Sequence, residues 1–190
     1  MRIILASNSP RRRELLAGCG VEFEVFTADI NESLPIKKPK KFVSAVSELK
    51  AREALKSFEN EADALIIAAD TVVNIDNLIL GKPADEKQAY EMIKRLSGRF
   101  HKVYTGICFV RVKNRAVKFK KDICCTKVKF KKLSEEKIKD YISTEEPYDK
   151  AGAYAVQGLA GEFIGKISGD YENIVGLSTK RAMKILIKIN

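Results

Sequence analysis

Within its first ten residues the chain passes from a strand to a helix, and that handover limits the fold class. Ile3-Ile4-Leu5-Ala6 is a continuous apolar run of the kind that makes a buried strand. Ser9 then offers a side-chain oxygen to cap a helix, and Pro10 has the fixed φ and missing N–H that suit the first helical position. The helix so begun carries Arg11, Arg12 and Arg13. Two hydroxyls, Ser7 and Ser9, and three guanidinium groups therefore gather where free backbone N–H groups and the helix dipole favour an anion. Arginine adds forked donors matched to phosphate oxygens. A polyphosphate site fits this run; a capped helix with a solvated basic face is the other reading it leaves open.

Strands and helices then follow without strict alternation. Val21–Thr27 alternates as a strand, and Asp29–Lys40, with Pro35 and Pro39, reads as a loop. Lys41–Phe58 is a helix in which Phe42, Val46, Leu49, Ala54 and Leu55 recur near helical spacing. Ala64–Ala69 is a central strand, and Thr71–Ile75 with Leu78–Leu80 forms a hairpin around Asp76-Asn77. Asp85 caps a helix over 86–96. Lys102–Val112 and Ala116–Leu133 are long strands flanking Lys113-Asn114-Arg115, and Ser134 opens a helix to about Ser143. After a glycine-rich region over 148–176, Ser178–Ile189 is a closing amphipathic helix. The pattern predicts an α/β fold with a mixed sheet in one domain over 1–190. No G-x-G-x-x-G follows the first strand, which argues against a dinucleotide site.

Composition narrows the function classes. No apolar run approaches the roughly 20 residues that span a bilayer. The first strand begins without a charged-then-apolar signal segment, so a cytoplasmic protein with no membrane partner is expected. Cys19, Cys108, Cys124 and Cys125 lack C-x-x-C spacing and read as reduced, packed thiols; the last two, adjacent on a strand, point to opposite faces. His101 is the single histidine, so a multi-histidine metal site is excluded. The net charge of +10 admits a nucleic-acid partner. However, Lys118-Phe119-Lys120 and Lys127-Val128-Lys129-Phe130-Lys131 alternate as half-buried strands with a solvated face, and there is no tryptophan or interleaved stacking pattern. No stable nucleic-acid partner is expected.

Several residues stand out chemically. Asp70 closes the run Leu65-Ile66-Ile67-Ala68-Ala69, and a carboxylate at the end of a buried strand needs a compensating partner. Lys82 lies between Gly81 and Pro83, a lysine that could neutralise phosphate charge. Lys150 follows Asp149 and precedes Ala151-Gly152, where small residues permit close approach. Gln157, on the same side of an alternating segment as Ala153 and Ala155, carries both a donor and an acceptor.

The opening S-N-S-P-R-R-R-E-L-L, together with Ala68-Ala69-Asp70-Thr71-Val72-Val73, Gly81-Lys82-Pro83 and Tyr148–Gly158, resembles the Maf family of nucleoside triphosphate pyrophosphatases. Ser97-Gly98-Arg99, Tyr104-Thr105-Gly106 and Gly169–Leu177 fit the same pattern, so the resemblance runs from about residue 3 to about residue 177. It implies an elongated mixed sheet with flanking helices and two lobes around a deep cleft, akin to ITP pyrophosphatases. It implies hydrolysis of a nucleoside triphosphate to the monophosphate and pyrophosphate, a house-cleaning activity linked by the family name to division arrest. Asp70 is then the proton acceptor, and Glu32 and Asp70 lie at a divalent Mg²⁺ or Mn²⁺. Lys82 would join Asp70 in catalysis, with Ser7, Ser9, Arg12, Arg13, Lys50, Thr71, Lys150 and Gln157 binding substrate. Arg12, Thr71 and Gln157 match the branch that prefers dTTP and UTP. A homodimer is compatible with the resemblance. The alternatives are a basic nucleic-acid-binding protein and a regulator of septum formation that senses nucleotide without turnover.

Overall fold

The computed structural model describes residues 1–189. Along the chain come β1 (Arg2–Ala6), α1 (Pro10–Ala17), β2 (Glu24–Phe26), α2 (Pro39–Phe58), β3 (Asp63–Ile75), β4 (Leu78–Leu80) and α3 (Glu86–Leu96). They are followed by β5 (Phe100–Lys113), β6 (Ala116–Phe130), α4 (Glu135–Ile142), β7 (Ile164–Ser168), α5 (Tyr171–Val175) and α6 (Thr179–Ile189). The strands form a seven-stranded sheet in the order β2-β1-β3-β5-β6-β7, with β4 paired to β3. β1 is parallel to β2 and β3, and the remaining pairs are antiparallel, so the sheet is mixed as expected.

Local signals account for many boundaries. Ser9, Asp85 and Ser134 each cap a helix by accepting a backbone N–H three residues on. Asp76-Asn77 and Asn114-Arg115 adopt positive φ at both positions, the two-residue turns that match the twist of a hairpin.

The structure departs from the sequence expectations in several places. The separate strands expected over 64–69 and 71–75 are one strand, β3, because Thr71-Val72-Val73 is β-branched and pairs without a break with β5. Asp70 is therefore in the middle of a strand, not at its end. β2 is only three residues long, since it pairs solely with Ile4–Ala6 of β1. The buried stripe of α2 is Val43, Val46, Ser47, Lys50, Ala51 and Ala54, so the helix is rotated from the expected face and Leu49 is exposed. Residues 116–121 of β6 are exposed, because β7 pairs only with the far end of β6; Phe119 is covered instead by the Arg52 guanidinium, 4.4 Å from its ring centroid. Finally, the segment around Gln157 is a turn rather than an alternating strand.

Three long strands carry two cores. At one end, Leu65, Ile67, Ala69, Ile107 and Phe109 pack against Leu16 and α6, and on the opposite face Ala64, Ile66, Ala68, Cys108 and Val110 pack against Ala51 and Ala54 of α2. At the other end, Val73, Val103, Val128 and Phe130 pack with α3, α4, Tyr154 and Phe163. The chain thus has two lobes sharing one sheet, and Asp70, Thr71 and Thr105 lie on the strands where one core gives way to the other.

The second lobe holds a buried histidine. His101 bonds Tyr154 Oη through Nε2 at 2.8 Å, and its Nδ1 has no partner. Burial lowers its pKa from 6.5 to about 4. Between those values the unfolded chain binds the proton and the folded chain does not. Stability should therefore rise with pH from about 4 to about 6.5, by up to about 3 kcal/mol, and this contribution should not change further above that window. Urea midpoints across pH 4–7 should show the slope, and His101→Leu should flatten it; an unaltered slope in the variant would assign the pH dependence to other groups.

Candidate active site

The pleat of β3 sends successive side chains to opposite faces, and this puts two neighbours to two uses. Asp70 shares the face of Ala64, Ile66 and Ala68, against α2. There the Lys50 ammonium lies 3.0 Å from Asp70 Oδ1 and 3.0 Å from Glu32 Oε1. Lys50 and Asp70 are both nine-tenths buried, whereas Glu32 is exposed on the loop before α2. A buried ion pair needs close geometry to offset desolvation, and one ammonium between two carboxylates supplies it. α2 reaches β5 closely enough for this because Asp70 is paired with Gly106, where a Cβ would stand 2.4 Å from the Val43 carbonyl oxygen.

Thr71 faces the other way, towards α1. Arg12, buried on the first turn of α1, donates from Nε to the Gly176 carbonyl (2.8 Å), from Nη1 to Ser7 Oγ (3.2 Å) and from Nη2 to Thr71 Oγ1 (2.9 Å). Burial pulls the Arg12 pKa below its ordinary value; the charges of Asp70 and Glu32 oppose this and that of Arg11 reinforces it. Arginine remains protonated through such shifts. Arg12 thus lies within the field of the Lys50–Asp70–Glu32 cluster on the other face. Ser7 Oγ also accepts from the Ser9 N–H at 3.2 Å, and Ser9 caps α1.

Other nominated residues lie outside these contacts. Arg13 is exposed, while Arg11 is half-buried and its charge acts on Asp149 and Tyr141 in the second lobe. Lys82 is exposed, on a loop tied down by the Gly152 N–H bonding the Gly81 carbonyl at 2.9 Å. Lys150 pairs with Asp149; burial works against the Asp149 carboxylate, but the Lys150 hydrogen bond and charge outweigh it and hold its pKa low. Gln157 is exposed in a turn clamped by Glu146, whose carboxylate accepts from the Leu159 N–H (2.7 Å), the Ala160 N–H (3.2 Å) and Tyr141 Oη (3.1 Å).

Sequence reasoning missed Thr105, Asn173 and Asp170 as members of this network. Thr105 bonds Thr71 and the Asn173 carbonyl, and Asp170 caps α5 while accepting from Ser178. The Gly169–Leu177 motif pointed to the segment, but α5 is five residues long and its fully buried Asn173 shows no periodicity that would reveal it. Among the described residues no group of three or more His, Cys, Asp or Glu could hold a metal, and no helix is long and apolar enough to cross a membrane.

Comparison with known proteins gives the family. The chain is 47% identical over 186 residues to the dTTP/UTP pyrophosphatase of Thermoanaerobacter sp. (strain X514), covering 98% of this chain and 95% of that protein. It is 45% identical over 188 residues to the dTTP/UTP pyrophosphatase of Clostridium novyi (strain NT), covering 97% and 96%. It is 45% identical over 186 residues to that of Thermosipho africanus (strain TCF52B), covering 98% and 92%. Among solved structures, the Staphylococcus aureus Ham1 protein is a distant likeness, with 12% identity, a TM-score of 0.46 and coverage of 98% and 96%. The family model described as Maf-like protein matches residues 2–189, and the chain belongs to the Maf family.

Proposed function

We infer that this chain hydrolyses dTTP and UTP to the nucleoside monophosphate and pyrophosphate. The family and the names of relatives at 43–47% identity support the reaction. The observation that carries the site is the buried Asp70 carboxylate, paired with Lys50 and one residue along the strand from Thr71 and its Arg12 contact. Asp70 takes a proton from the water that attacks the α-phosphorus. Arg12, Lys50, Lys82 and Lys150 supply the positive charge for the triphosphate, which counts most as charge builds on the leaving pyrophosphate. Ser7, Ser9 and Arg13 contribute around the α1 N-terminus, and Gln157 meets the base.

Asp70 and Glu32 bring two carboxylates to one ammonium, an oxygen donor set that fits Mg²⁺ or Mn²⁺ when phosphate oxygens and water complete the shell. Such a cation, when bound, would neutralise phosphate charge. The biological role follows from the reaction: removal of surplus or modified pyrimidine nucleotides.

A panel of canonical and modified nucleoside triphosphates, scored separately for pyrophosphate and orthophosphate, tests this reading. Pyrophosphate from UTP and dTTP is expected. Orthophosphate release, or no turnover with salt-sensitive oligonucleotide binding that dTTP does not displace, would overturn it. Lys82→Ala should weaken UTP binding more than UMP binding, since the exposed lysine on its tethered loop serves the β- and γ-phosphates. Equal losses by titration calorimetry would remove Lys82 from that role.

A further inference from the structure

The outer edge of β6 is open over most of its length. β7 pairs only with residues 127–130, and among the described residues no strand pairs with residues 116–126 on that side. Every second residue there turns its N–H and C=O away from β5, towards an empty strand position. The register with β5 sorts the side chains. Val117, Phe119 and Ile123 share the face of Val112, Val110 and Gly106, against α2, and Val117 and Phe119 are exposed on it. Lys118 and Lys120 share the opposite face with Arg111 and Phe109 and are exposed. Lys121 and Asp122 are already paired, with Glu48 at 2.7 Å and Arg181 at 2.9 Å; among the described residues Lys118 and Lys120 have no ion-pair partner. Further along the edge, a groove of about 480 Å³ is lined by Lys40, Lys121, Asp122, Ile123, Cys125 and Arg181. Lys40 and Arg181 come from the starts of α2 and α6 and add to the positive charge of the strand.

We propose that this edge docks an extended acidic segment of a partner protein, which joins the sheet as a further strand beside β6. The backbone calls for an occupant that offers N–H and C=O groups in alternation, as an extended peptide does. A polynucleotide presents its phosphates as acceptors alone, which leaves the outward carbonyls of β6 unmatched. The side chains set the composition of the segment. In a strand laid beside β6, residues on one face meet Val117, Phe119 and Ile123, and residues on the other meet Lys118 and Lys120. Apolar residues alternating with glutamate or aspartate satisfy both faces. A second copy of this chain does not. Its β6 would bring its own lysines to the edge, and the one acid in that stretch, Asp122, is held by Arg181. Like charges set opposite each other destabilise a strand pair. The lysines that keep identical strands apart therefore select an acidic one.

A fluorescein-labelled peptide of alternating glutamate and valine is the probe. It should bind saturably and slow amide hydrogen exchange at alternate residues over 116–124, while β2, the strand at the other edge of the sheet, is unaffected. Lys118→Glu combined with Lys120→Glu should weaken binding about 10-fold or more, with a melting curve showing that the variant is folded. Lys118→Gln with Lys120→Gln removes the charge more gently, should the glutamates unfold the strand, and should weaken binding less. A peptide with the same side chains, N-methylated at every residue, keeps the charge but loses its N–H groups and should not bind. No binding at millimolar peptide, or binding that leaves exchange over 116–124 unchanged, overturns the proposal. Equal affinity for the N-methylated peptide also overturns it, since charge alone would then be the cause. Displacement of the peptide by an oligothymidylate at matched charge would assign the face to nucleic acid. A dimer by sedimentation, with 116–124 protected before any peptide is added, would assign the edge to a second copy; either result rejects the acidic partner strand.

Discussion

Asp70→Asn is expected to lower kcat by at least roughly 10²-fold while nucleotide binding survives. The amide has the size of the carboxylate but cannot take a proton, so loss of a general base acts on turnover. Binding should be spared, because Arg12 and Thr71 are held on the other face of β3 by bonds that do not involve Asp70. Lys50 would keep Glu32 as a counter-charge, 3.0 Å away, so the variant does not leave a lone charge in the core. That partner separates this change from one that strands a buried ion, which typically costs 3–5 kcal/mol. Single-turnover kinetics with UTP, alongside UMP affinity by calorimetry, measure the two effects independently. Near wild-type turnover would show that Asp70 only positions Lys50 and that water is activated elsewhere.

Gly106→Ala should cost much stability for a single added methyl group. The added Cβ would stand 2.4 Å from the Val43 oxygen, 2.6 Å from the Val43 carbon and 3.0 Å from the Ser44 nitrogen. All three are backbone atoms of α2, so no side-chain rotation can relieve the contact and the helix must move. Overpacking in a core costs about 1–3 kcal/mol, occasionally more, and the rigid backbone partner puts this position at the upper end. For a chain of this size that corresponds to roughly 6–12 °C in Tm. Because α2 also carries Lys50, the displaced helix should lower kcat as well. A melt within a degree or two of wild type would mean that α2 does not pack on β5 as described.

The elements legible in the sequence are those whose cause is local. Ser9, Asp85 and Ser134 cap their helices with hydrogen bonds three residues away, and Asn114-Arg115 turns the long hairpin by its own backbone conformation. Such interactions need no knowledge of the rest of the chain. β7 escaped because Ile164-Gly165-Lys166-Ile167-Ser168 has little apolar content and is a strand chiefly through its backbone pairing with β6. The site divides in the same way. The residue types and their order were readable, and so was the family.

What the tertiary structure alone decided is which side chains meet. Lys50 meets Asp70, 20 residues away in sequence, because of the face that α2 turns to the sheet. Arg12 reaches Gly176 across 164 residues, and Thr105 reaches Asn173 across 68. Contacts over such separations are set by strand register and by which helix face is buried. Burial then removes water as a competing partner, so each polar group must take the neighbour that packing provides. A sequence can show that a threonine is present; the direction in which its proton points depends on a carbonyl that the fold brings from the far end of the chain.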